Sequence, residues 1–117
     1  MSKPPEGFSL MPTRGPFIDI NGPFFHDGGT RFRFKPQDRH CNLLGFAHGG
    51  IIATLLDSAM AHCIVATHQY AIVTEDLLIN YKSVLAKNRW AEVSVTLEGA
   101  LNGYALASAT MRSRGSV

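Results

Sequence analysis

The chain has 117 residues, of which 45% are hydrophobic and 17% charged, values that suit one soluble globular domain with its own core. Its net charge of +2 is spread without a run of like charges, which argues against a nucleic-acid-binding protein but fits an anionic small ligand. The N-terminus lacks the apolar stretch of a signal peptide and the two cysteines form no CxxC motif, so we expect a cytoplasmic protein without a disulfide framework.

The first segment, residues 1–16, contains four of the six prolines and predicts an extended N-terminal arm. Phe8, Leu10 and Met11 within this arm indicate that it packs against the rest of the domain. The first strand is predicted at residues 17–20, with residues 24–26 as a candidate addition to it.

A turn and a second strand follow. Residues 27–29 read Asp-Gly-Gly, which is a strong turn signal. Residues 30–35 then alternate between polar and aromatic side chains, with Phe32 and Phe34 on one face and the charged residues on the other. This alternation predicts a strand that is covered on one side.

The longest pattern is helical and runs from residue 48 or 49 to about residue 66. Ile51, Leu55 and Ala59 recur every four residues, and a thin polar stripe interrupts the apolar surface. A helix that is apolar over most of its circumference should be largely buried. The apolar window is too short and too polar for a membrane span, so we expect no interaction with a membrane.

Three further strands are predicted at residues 72–81, 90–98 and 104–111. Residues 101–103, Leu-Asn-Gly, supply the turn between the last two strands. One long helix packed against an antiparallel sheet is an α+β arrangement. No internal repeat or linker is visible, so residues 1–117 are predicted to form a single domain.

Two glycines at the start of the predicted helix suggest a binding function. Gly49 and Gly50 expose backbone N–H groups that have no partner within the helix and that the helix dipole makes electropositive. Without side chains in the way, a carbonyl oxygen or an oxyanion can dock there. The alternative is that the pair only permits a tight entry into the helix.

Two polar residues near this helix also have two interpretations. Asp57 lies in its apolar interior, where a carboxylate is costly unless it has a partner or a chemical task. It is either a general base or nucleophile, or a structural group that forms an ion pair or a hydrogen bond across a dimer interface. Asn42, in the preceding loop, either binds a substrate carbonyl or water, or caps the loop.

These residues occur at a spacing that resembles a known family. Asn42, Gly45, His48-Gly49-Gly50 and Asp57 match the signature of the hotdog-fold thioesterases, specifically the PaaI-like branch of the 4-hydroxybenzoyl-CoA thioesterase superfamily. The resemblance extends from about residue 8 to residue 111. It implies a hotdog fold, in which an antiparallel sheet wraps around one long buried helix.

The resemblance implies an enzyme that hydrolyses an acyl-CoA thioester to a free acid and CoA without a cofactor. The Gly49 N–H would polarise the thioester carbonyl, and Asp57 would act as general base or nucleophile. Asn42 would position the carbonyl or the water, while His48 would orient the loop or the thioester. The other histidines are scattered, and we predict no metal site.

The predicted substrate-binding residues are Gly45, Phe46, Gly50, Met60 and Thr74. Thr74 falls where the branch often has a Ser or Thr that positions water. Phe46, Met60 and Leu78 favour an apolar or aromatic acyl group. The resemblance also implies a homodimer or a dimer of dimers, in which Asp57 faces the glycines of the other subunit.

Two departures from the branch favour an alternative function. A Pro that usually follows the central-strand Tyr is replaced by Ser83-Val84, and the usual last strand, after a turn such as Arg114-Gly115, is expected to be absent. The alternative is a non-catalytic hotdog module that binds an acyl-CoA or a similar ligand. A dehydratase of the same fold fits less well, because His48 precedes the helix instead of lying on it.

Overall fold

The computed structural model describes residues 3–12 and 15–113. Five antiparallel strands form one sheet in the order β1-β2-β3-β4-β5, and one long helix, α2, packs on it. The elements in chain order are β1 Ser9–Leu10, α1 Pro16–Asn21, β2 Phe25–His26, β3 Arg31–Phe34, a short 3-10 helix Asp38–His40, α2 Gly49–His68, β4 Ala91–Leu101 and β5 Tyr104–Ser113. The predicted α+β class is confirmed.

Two predicted turns connect the strands as expected. Between β2 and β3, the Asp27 carboxylate accepts hydrogen bonds from the backbone N–H groups of Gly29 and Arg31, at 2.8 and 3.2 Å. Between β4 and β5, Asn102 and Gly103 both have positive φ, 53° and 81°, as a two-residue hairpin turn requires. These turns set the strand register that puts one apolar face toward the helix.

The core lies between this sheet face and α2. Phe32 and Phe34 of β3 and Val93 of β4 are fully buried, as the alternation in the sequence predicts. The Phe24 ring stacks on Phe32 at 5.6 Å and meets Phe34 edge-on at 6.5 Å. The helix contributes six buried residues, namely Ile52, Leu55, Leu56, Ala59, Cys63 and Ile64.

α2 is longer and more open than its pattern suggests. It begins at Gly49, as predicted, and continues to His68. Among the helices in the described ranges, it alone is long and apolar enough to cross a membrane, judged by length and composition. The sequence analysis excluded a membrane span because the apolar window was too short, and the length of α2 does not support that reason. One third of its most apolar window is buried, so burial covers only one face of the helix.

The strand predicted at residues 17–20 is wrong, because this segment is part of α1. Pro16 at the first helical position fixes a φ that suits a helix, and Asp19 lies favourably in the first turn. Phe17 and Ile20 lie three residues apart and are both exposed. Four residues are too few for alternation to distinguish a strand from a single helical turn.

The strand predicted at residues 72–81 is not formed either. This segment runs without regular secondary structure, and it pairs with no other strand in the described part of the chain. The sheet ends at β5, and a cavity separates β5 from the segment. Alternating side chains predict which face is apolar, but a strand also requires a neighbour for its backbone groups. The predicted turn at residues 114–115 lies outside the described residues.

Candidate active site

The start of α2 presents two free backbone donors. His48 occupies the N-cap with extended backbone angles, and its carbonyl accepts from the N–H groups of Ile51 and Ile52, at 3.1 and 3.3 Å. Within the described residues, the N–H groups of Gly49 and Gly50 have no acceptor. The predicted pair of donors is therefore present, at the electropositive end of the helix.

The two glycines have different surroundings. Neither has a positive φ, so backbone conformation does not require glycine at either position. A Cβ on Gly49 would lie 3.3 Å from the Tyr81 ring and hydroxyl, whereas a Cβ on Gly50 would meet nothing within 4 Å. Gly49 therefore leaves room for the Tyr81 side chain, and Gly50 leaves room for a ligand.

Tyr81 is the residue that sequence reasoning missed. Its hydroxyl donates a hydrogen bond to the Gly49 carbonyl oxygen at 2.7 Å. The sequence offered Tyr81 only as part of an alternating pattern, since a partner 32 residues away leaves no local signal.

The loop before the helix is organised around Asn42. The Asn42 side-chain oxygen accepts hydrogen bonds from the N–H groups of Leu44 and Phe46, at 2.9 and 3.2 Å. Gly45, with a φ of 82°, completes the turn by donating to the Asn42 backbone carbonyl. The structure thus supports the loop-capping interpretation of Asn42. The positive φ of Gly45 explains why a glycine is favoured at this position. The side-chain N–H groups of Asn42 have no acceptor among the described residues, so they are still available to a ligand.

Asp57 lies beside two other predicted site residues, Met60 and Thr74. The Thr74 hydroxyl donates to its carboxylate at 2.6 Å. Asp57, Met60 and Thr74 line a cavity of about 1850 Å³, together with Leu78 and Tyr81. Phe46 is not in this cavity; it forms an isolated bridge with Ala86.

The predicted site residues therefore form two groups. Gly49 and Asp57 are eight residues apart on one straight helix, which corresponds to about 12 Å along its axis. A single thioester carbonyl cannot contact both positions within one chain. Tyr81 hydrogen-bonds to the helix start and also lines the same cavity as Asp57.

Other chemistries find little support among the described residues. No group of three or more His, Cys, Asp or Glu side chains is placed to hold a metal ion. Burial raises the pKa of the thiols of Cys41 and Cys63, so neither is activated as a nucleophile.

Comparison with known proteins finds similarity to thioesterases and esterases. A model of the thioesterase superfamily matches residues 44–98, a span that includes both glycines and Asp57. A candidate esterase of Pseudomonas aeruginosa is 29% identical over 119 residues, which cover 97% of this chain and 89% of that protein. Over residues 44–98 the chain is similar to proteins of the thioesterase superfamily.

Solved structures of two thioesterase-superfamily proteins share the fold of this chain. Mouse thioesterase superfamily member 2 has a TM-score of 0.66 and 24% identity, and the match covers 78% of this chain and 68% of that one. The zebrafish member 2 has a TM-score of 0.64 and 20% identity, with 74% and 64% covered. The predicted hotdog fold is confirmed.

Proposed function

We propose that this protein hydrolyses an acyl-CoA thioester to a free acid and CoA. The observation that supports this most directly is the pair of unpartnered N–H groups of Gly49 and Gly50 at the start of α2, among the residues that the structure describes. A thioester carbonyl oxygen that accepts from these donors gains negative charge as the carbonyl carbon is attacked. Donors fixed in advance at that position stabilise the charge in the transition state.

Asp57 is the proposed base or nucleophile. As a base it takes a proton from water while the water oxygen bonds to the carbonyl carbon; the C–S bond then breaks and the thiolate leaves and is protonated. As a nucleophile its own oxygen bonds to the carbonyl carbon, the C–S bond breaks to release the thiolate, and water then cleaves the resulting anhydride to the free acid and the Asp57 carboxylate. The Thr74 hydroxyl, 2.6 Å from the carboxylate, fixes its orientation for either route.

The proposed site is shared between two copies of the chain. The distance of about 12 Å along α2 between Gly49 and Asp57 is too long for one carbonyl group to contact both. A second copy that brings its own Asp57 to the first copy's glycines removes this difficulty. Exposed apolar side chains at Val73 and Leu78 are consistent with such an interface.

The cavity beside Asp57 fits the acyl end of the proposed substrate. Met60 and Leu78 give it apolar walls, and its charged lining residues include Lys82 and Arg112 together with the acidic Glu75, Asp76 and Glu98. The apolar walls suit an apolar acyl group, and the two cations can bind the phosphates of a phosphate-bearing thiol. The cavity volume of about 1850 Å³ exceeds that of a typical ligand pocket, about 300–1,000 Å³, so one substrate leaves room for a further occupant.

A thiol-release assay with aryl, short-chain and medium-chain acyl-CoAs tests the proposal. Asp57→Asn keeps the shape of the side chain but cannot take the proton, so we expect kcat to fall about 10²- to 10⁴-fold. Asp19→Asn, a substitution of the same type on α1, serves as the matched control and should retain activity.

Two outcomes would contradict the proposal. Full activity in Asp57→Asn would mean that Asp57 is neither base nor nucleophile. Tight acyl-CoA binding without turnover by the wild-type protein would instead identify a binding module, the alternative that the sequence leaves open.

A further inference from the structure

Tyr81 connects two parts of the molecule that are otherwise separate. It belongs to residues 72–81, which have no backbone pairing within the described ranges, and it reaches the first turn of α2. Its hydroxyl lies 2.7 Å from the Gly49 carbonyl oxygen, and a Cβ on Gly49 would lie 3.3 Å from its ring, closer than an ordinary van der Waals contact. The absence of a side chain at Gly49 therefore allows this close approach of Tyr81.

The hydrogen bond acts on the peptide unit that joins Gly49 to Gly50. The Gly49 carbonyl and the Gly50 N–H belong to one planar, conjugated group. A donor at the carbonyl oxygen draws electron density from the nitrogen, which makes the N–H of the same unit a stronger donor. The Gly50 N–H has no acceptor among the described residues, and the space beside its Cα is open.

We propose that Tyr81 is a positioning residue of this site: it holds and polarises the Gly49–Gly50 peptide so that the Gly50 N–H binds the thioester carbonyl oxygen more strongly. The inference rests on the proposed function. It gives the two glycines different tasks, because Gly49 makes room for the Tyr81 ring and Gly50 makes room for the substrate.

Thr54 provides a matched control within the same helix. Its hydroxyl donates to the Gly50 carbonyl at 2.9 Å, one peptide unit further along the chain. The N–H of that unit belongs to Ile51 and already donates to the His48 carbonyl at 3.1 Å. Thr54 therefore polarises a donor that the helix itself uses, and its loss should not affect a bound substrate.

The kinetic test compares Tyr81→Phe with Thr54→Val in the full chain. Loss of one net hydrogen bond in the transition state predicts a fall in kcat of about three- to tenfold in Tyr81→Phe, with KM little changed. Thr54→Val should keep its kcat. Replacing Tyr81 by 3-fluorotyrosine, whose hydroxyl is a stronger donor, should raise kcat while that hydroxyl is protonated. A normal kcat in Tyr81→Phe, or an equal loss in Thr54→Val, would overturn the proposal.

An NMR measurement separates this inference from the proposed function. In the ligand-free protein, the Gly50 amide proton should move upfield in Tyr81→Phe and stay in place in Thr54→Val. An unchanged Gly50 resonance in Tyr81→Phe would show that the hydroxyl does not polarise this peptide. A wild-type protein that hydrolyses no thioester would contradict the proposed function. In that case the Gly50 amide proton shift would still show whether the Tyr81 hydroxyl polarises the Gly49–Gly50 peptide.

Discussion

His40 shows how a single buried residue holds the candidate site in place. The Gln37 N–H donates to its Nδ1 at 3.0 Å, so the ring proton is on Nε2, which lies 2.7 Å from the Asn21 carbonyl oxygen. The His40 backbone carbonyl accepts from the His48 N–H at 2.9 Å. His40 thus connects the end of α1 to the residue that caps α2, and it does so as a neutral imidazole.

This arrangement predicts that stability depends on pH. Burial is the main cause that lowers the pKa of His40 from its ordinary value of 6.5, so the unfolded chain binds a proton more readily. The contribution of His40 is complete above that value and is lost as the pH falls below it. Urea unfolding between about pH 7.5 and pH 5.5 should show a larger loss in the wild type than in His40→Gln, which cannot titrate. An equal loss in both proteins would contradict this prediction.

At the scale of elements, the N-terminal arm is part of the fold. Ser9–Leu10 pair with β2 as strand β1, and the Met11 N–H donates to the Phe24 carbonyl at 2.8 Å. Met11 is buried in the core, and Arg33 lies 4.5 Å from the centre of the Phe8 ring. Phe8 and Met11 therefore pack against the domain as predicted, whereas Leu10 is exposed.

Truncating the Met11 side chain should weaken the whole domain. Met11→Ala leaves a cavity beside the core phenylalanines, and we expect the free energy of unfolding to fall by about 2–5 kcal/mol. Leu10→Ala is the control, because Leu10 is 57% exposed and its truncation should change stability by about 0.5 kcal/mol or less. Denaturant unfolding of the two variants measures both values; similar losses would mean that the arm does not anchor through Met11.

At the scale of the whole molecule, the proposed function needs two copies of the chain. The glycine donors and Asp57 point to one reaction but lie too far apart along α2 to serve one carbonyl. In a symmetric dimer each site takes the donors from one subunit and the carboxylate from the other, and two such sites form.

Mixing two inactive variants tests this arrangement. Gly50→Pro removes one N–H donor at a position in the first helical turn that tolerates proline, and Asp57→Ala removes the carboxylate. If subunits exchange freely, half of the dimers are mixed and each has one intact site, so activity should recover to about a quarter of the wild-type value. Native mass spectrometry confirms the exchange. No recovery despite exchange would place the whole site within one chain.

Local sequence determined much of this protein. The four-residue spacing of apolar residues predicted α2 with its first residue, and the alternation at Phe32 and Phe34 predicted the buried face of β3. The Asn-Gly turn predicted the β4–β5 hairpin. These features depend on neighbours within a few residues, so the sequence contains their physical cause. The residues from Asn42 to Asp57 likewise carry the resemblance to the hotdog-fold thioesterases, whose fold the structure shares.

Only the tertiary structure decided which residues meet. It placed Thr74 on Asp57 and Tyr81 on Gly49, and it left residues 72–81 without a strand partner in the described part of the chain, although their alternation predicts a strand. Each outcome depends on contacts between residues distant in the chain, because hydrogen-bond partners and neighbouring strands are set by packing and not by local pattern.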